Sequence, residues 1–166
     1  MAIVDTLLPE FDREMTTTRK LLERVPEDKF AWKPHVKSMS LGDLASHVAN
    51  LVNWGAVTLN QSDVDMGSDN TNTAATSRAD LLSRFDKNVT DTRAALTSKS
   101  DAEMMAPWSL KHHGKTIFTM PKAAVWRGFV LNHLVHHRGQ LSVYLRLNDV
   151  PVPAIYGPSA DEAPNF

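Results

Sequence analysis

Apolar residues recur at steps of three and four along four stretches of this chain, and the stretches between are polar or broken by proline. From Ile3 to about Val25 one stripe collects Val4, Leu8, Phe11, Met15, Thr18, Leu22 and Val25. That is the period of a helix with one buried face. Pro26 ends it, since proline cannot continue the hydrogen-bond ladder and disfavours the α conformation in the residue before it. The connector from Pro26 to Met39 holds Phe30, Trp32 and Pro34, which suit a cover over one end of the core. Ser40, with Asp43 three residues on, spells a helix start. The helix it opens has Leu44, His47, Leu51, Trp54 and Thr58 on its seam and fades near Asn60. Gln61 to Thr76 is polar and reads as a loop. Ser77 with Asp80 opens a third helix, on Leu82, Phe85, Val89, Thr92 and Leu96. From about Lys99 to Met120 the pattern is irregular, with a small hairpin suggested by Ser109 to Lys111 and Lys115 to Thr119 around His113-Gly114.

The fourth helix begins at Pro121, a residue suited to a first helical turn, and runs to Leu147. Its stripe is Ala123, Trp126, Val130, His133, His137, Gln140 or Leu141, and Tyr144. After Asn148 the prolines at 151, 153 and 158 give a non-helical tail, pinned by Ile155 and Tyr156. The expectation is an all-α protein: a four-helix bundle with long inter-helix connections and one domain over residues 1–166.

Composition narrows the chemistry. The 166 residues carry a net charge of −1, with 42% hydrophobic and 22% charged residues. That balance offers no electrostatic footprint for nucleic acid. No apolar run reaches the ~18 residues of a membrane span. The start MAIVDTLLPE lacks the basic region of a secretory signal, and a cytoplasmic location is the expectation. There is no cysteine, so any metal must be held by histidine, carboxylate, carbonyl or water.

Histidines stand where the stripes should be apolar. His133 and His137, at i and i+4, share one face with Cβ atoms about 5–6 Å apart. His47 completes a three-histidine face if the second and fourth helices are neighbours. Neutral imidazoles suit Zn²⁺, Ni²⁺, Cu²⁺ or Fe²⁺, and three protein ligands leave positions for water or substrate. The bland alternative is three buried, hydrogen-bonded histidines. It weakens because each ring would need its own polar partner. His136 points about 100° away from His137, with solvent as its default. Arg138 can bind a substrate carboxylate, although a solvated or ion-paired arginine is the plainer reading. His35, His112 and His113 read as surface residues. Asp63, Asp65 and Asp69 do not make a calcium loop, because Ser68 and Ala74 stand where glycine and glutamate are required. There is no HExxH, no Glu-x-x-His, no glycine-rich phosphate loop and no G-x-S-x-G.

The segment NHLVHHRGQLSVYLRLNDVPVPAIYGPSADE resembles the DinB/YfiT-like superfamily of metal-binding four-helix proteins. WKPHVKSMSLGDLASHVANLVNW is similar to that family's second-helix region. The resemblance implies a divalent metal, often nickel or zinc, on His47, His133 and His137, and a homodimer. Its characterised members include transferases and isomerases that use a low-molecular-weight thiol. It therefore implies a metal-dependent thiol transferase or hydrolase-like enzyme acting on a small electrophilic molecule. The alternative is a non-catalytic metal-binding or stress-response protein in which the metal is structural. Neither the residues nor the resemblance assigns a general base, a thiol-binding residue or a substrate.

Overall fold

Ser40 and Ser77 start helices as their spelling requires. Ser40 Oγ accepts the Asp43 N–H at 3.1 Å, and Ser77 Oγ accepts the Asp80 N–H at 3.0 Å. Each satisfies one of the N–H groups that a helix start leaves unpaired. The computed structural model describes residues 2–67 and 73–163. Its helices are α1 (Ile3–Leu22), α2 (Leu41–Leu51), α3 (Asn53–Asn60), α4 (Arg78–Thr97), α5 (Asp101–Met105), α6 (Lys122–Val125) and α7 (Asn132–Leu147). A short 3₁₀ turn at Glu27–Lys29 follows α1. A six-residue π-helical segment, Trp126–Leu131, joins α6 to α7.

The long helices pack side by side. α1 lies against α4, α4 against α2 and α3, and α2 against α7, which also touches α1. Phe11, Leu21, Leu22, Leu44, Val48, Phe85, Leu96, Trp126 and Leu141 fill the space between them. Gly55 permits the close approach of α3 to its neighbours. A Cβ there would stand 2.5 Å from Thr92 Cγ2 and 2.8 Å from Trp126 Cζ3.

The fold is mostly helical but not all-α. Three strands, β1 (Asp63–Asp65), β2 (Pro107–His112) and β3 (Lys115–Pro121), form one sheet in that order. The β2–β3 hairpin lies where the short alternating runs suggested it. It turns through His113 and Gly114, both at positive φ (48° and 76°), as two-residue hairpins favour. β1 runs parallel to β2 inside the stretch expected to be loop. Three polar-flanked residues carry too little alternation to announce a strand. Asp65 is engaged here, accepting the Gly67 and Gly114 N–H groups. Asp69 lies outside the described residues.

Two helices expected to be continuous are divided. The second breaks between Leu51 and Asn53. The fourth starts only after Pro121 has closed β3, and it passes through the π segment. Its buried stripe is Leu134, Arg138, Leu141 and Leu145, one residue away from the predicted one. His133 and His137 therefore sit half-buried on the flank of the seam and not on its floor. The tail is pinned as expected: Val152 is buried, Ile155 packs on the core, and Arg146 pairs with Asp161.

Candidate metal centre

Because α2 packs on α7, His47 faces the two histidines of α7. Ring centroids are 5.3 Å apart for His47–His133, 4.4 Å for His47–His137 and 4.7 Å for His133–His137. One nitrogen from each ring lies within 4.8 Å of the other two. The Nε2 atoms of His133 and His137 are 2.9 Å apart. An ion bonded to imidazole nitrogens at ~2.0–2.1 Å needs those nitrogens a little over ~3 Å apart. The observed separations bracket that requirement, so small side-chain rotations suffice. Among the described residues no carboxylate joins the group. All three rings are half-buried, so the arrangement leaves one side open.

Electrostatics favour neutral, ligand-competent rings. Burial pushes the His47 pKa down to about 4, and the neighbouring His137 and His133 add to the shift. Burial also lowers His133 and His137, since a charged ring is poorly solvated there. The Phe129 carbonyl opposes the shift at His133, and Gln140 opposes it at His137.

By sequence Gln140 is an alternative seam position that flanks the histidines. Its Oε1 lies 2.7 Å from His137 Nδ1 and accepts that N–H, which leaves Nε2 with its lone pair toward the other rings. The detectable signal was the i, i+3 spacing to His137. Gln140→Leu should weaken metal affinity by about tenfold or more, as loss of an outer partner of a ligating histidine does. Competitive titration against a chromophoric chelator reads it. An unchanged affinity would remove Gln140 from the site.

An aromatic wall connects the centre to the sheet. Phe129, in the π segment, stands 5.7 Å from the His133 ring, 5.6 Å from Trp54 and 6.1 Å from Phe118 of β3. Phe118 in turn packs on Trp108 of β2. The sheet thus reaches His133 of the triad through Phe118 and Phe129, side chains that no motif singled out.

His136 is exposed, its ring 4.8 Å from that of His137. His35, His112 and His113 are exposed and apart from the triad. Arg138 is not a surface group. It is 1% exposed and ion-paired to Glu14 at 2.6 Å.

The DinB family model matches residues 1–164. This chain belongs to the DinB family. Two solved structures are similar in fold. A DinB-like protein from Bacillus cereus ATCC 10987 superposes with a TM-score of 0.68 at 21% identity, over 90% of this chain and 95% of that one. The DinB-like protein YjoA of Bacillus subtilis gives 0.68 at 19% identity, over 88% and 95%. Uncharacterized protein YrdA of Bacillus subtilis (strain 168) is 45% identical over 38 residues, 23% of each chain. The match thus spans about a quarter of that relative's length. No helix among the described residues is long and apolar enough to cross a membrane.

Proposed function

We propose that this DinB-family chain is a metal-dependent enzyme. His47, His133 and His137 hold one divalent transition ion, Ni²⁺ or Zn²⁺. The reaction is a thiol-dependent transfer, or a hydrolysis, on a small electrophilic molecule. The observation that carries the reading is the convergence of three neutral, half-buried imidazoles with an open side and no fourth protein ligand among the described residues. A metal bound there supplies positive charge that acidifies a coordinated thiol or water near neutral pH. The chain's own part is to keep the three rings neutral and to orient His137 through Gln140. The cysteine-free sequence requires the thiol to come as a small external molecule. The four long helical stretches are read as the family's bundle, and a homodimer in the cytoplasm completes the proposal.

The triad spans α2 and α7, so a bound ion also cross-links two helices. That observation favours a second reading, in which the metal only braces the fold. One experiment tests the shared premise. Untagged wild type and His137→Ala, purified without metal-affinity resin, are compared by elemental mass spectrometry. About one transition metal per wild-type chain, lost in the variant, is expected. No metal in either, even after incubation with Zn²⁺ or Ni²⁺, would overturn the proposal. A metal-loaded protein inactive across a thiol–electrophile screen would favour the bracing role.

A further inference from the structure

A cleft of about 280 Å³ opens beside the triad. Asp43, His47 and Asn50 of α2 line it, together with Met39, Thr73 and Ala74. Asp43, His47 and Asn50 are spaced i, i+4, i+7, which puts them on one stripe of the helix. The Thr73–Ala74 stretch is tied to α2 at its end, because the Ala75 N–H donates to Ser46 Oγ at 2.8 Å. The volume is at the small end for ligand sites, enough for a compact molecule.

Two polar side chains of this cleft, Asp43 and Asn50, keep hydrogen-bonding capacity that the fold does not use. Asp43 Oδ2 accepts the Ser40 hydroxyl at 2.6 Å, while Oδ1 has no partner among the described residues. The Asn50 carboxamide has none either. Asp43 is the only charged side chain lining the cleft among the described residues. A carboxylate with a free oxygen, one helical turn from a histidine of the triad, selects for positive charge and N–H donors.

We propose that this cleft is the ligand subsite of the metal centre, and that it takes a small molecule bearing an ammonium group, with the ammonium on Asp43 and the metal-binding end toward His47. This rests on the metal-centre reading above. Asn50 adds an amide to the same ligand, and Met39 and Ala74 cover its carbon chain.

The test uses full-length protein loaded with Co²⁺, whose visible absorption reports ligands entering the metal's coordination sphere. The probes are cysteamine and 2-mercaptoethanol, thiols of the same length with and without an amine. Asp43→Asn removes the charge and leaves the Ser40 cap of the backbone in place. The ratio of cysteamine to 2-mercaptoethanol affinity is expected to fall about fivefold in the variant, with 2-mercaptoethanol unchanged. Any amine chelation to the metal persists in the variant and cancels from this comparison. Asn50→Asp adds a second carboxylate to the cleft and should raise the same ratio, which keeps the test alive if Asp43→Asn unfolds the start of α2. An unchanged ratio in both variants, or an equal loss for both thiols, would overturn the subsite while leaving the metal centre intact. Failure of the wild type to take up Co²⁺ would overturn the metal centre itself, and the subsite with it.

Discussion

Glu14→Ala should destabilise the protein by roughly 3–5 kcal/mol, a fall of about 6–20 °C in melting temperature for a chain of this size. Glu14 is 6% exposed on α1, and Arg138 is 1% exposed on α7. Their ion pair closes at 2.6 Å. Arg138 also donates to the Glu14 carbonyl at 3.2 Å, to Thr18 Oγ1 at 3.1 Å and to the Tyr156 hydroxyl at 2.8 Å. The Tyr156 hydroxyl donates to Glu14 Oε2 at 3.0 Å. This network joins two helices to the tail. Removing the carboxylate strands a guanidinium that cannot deprotonate, and removing Arg138 strands a carboxylate. Arg138→Met should therefore cost a similar amount. The double variant Glu14→Leu/Arg138→Met should recover most of the loss, because the desolvation cost of both charges disappears together. Urea titrations of the four proteins give the coupling directly. A loss below about 1 kcal/mol for both single variants would show that water reaches the pair.

That pair also explains why the buried stripe of α7 lies one position from the predicted one. A charged residue at the centre of the buried stripe made Leu134, Leu141 and Leu145 look interrupted. The spacing alone therefore predicts a stripe through His133, His137 and Tyr144, one position away. The i, i+4 relation of the histidines does not depend on where the seam lies, so they still meet. The flank position matters for the chemistry, since it leaves the rings half-open. Capping was legible because it is local: Ser40 and Ser77 act within three residues. The break near Val52 and the π segment were not, because both follow from packing between distant parts of the chain. Gly55 must fit against Thr92 and Trp126, and Phe129 must reach Phe118 across the sheet. The hairpin could be read from its turn, but its parallel partner β1 could not.

The largest effect at the site itself is the linkage between metal, pH and stability. A ligand that binds only the folded state at 1,000 times its Kd adds about 4 kcal/mol. That corresponds to a rise of roughly 8–16 °C for a chain of this length. Zn²⁺ should raise the melting temperature by this order at neutral pH, and His133→Ala or His137→Ala should abolish the rise. Acid acts in a defined direction. The three rings have folded-state pKa values below the ordinary 6.5, with His47 at about 4. Between those values the unfolded chain binds more protons than the folded one, so stability falls as pH falls. The histidines' contribution to the stability of the metal-free protein should be full above about pH 6.5 and be lost progressively as pH falls below it. Within that window His47 stays largely neutral in the folded protein, and burial lowers His133 and His137 in the same direction. Zn²⁺ binding should therefore weaken at a lower pH than it would for free imidazole ligands, whose protons compete near ~6.5. Melting curves from pH 4 to 8, with and without Zn²⁺, measure both limbs. A zinc-induced rise that survives in a His133→Ala/His137→Ala double variant would show that the ion binds elsewhere. A rise that vanishes already at about pH 6.5 would show that protons compete for these rings as they do for free histidine, and would overturn the downward shifts of the three rings.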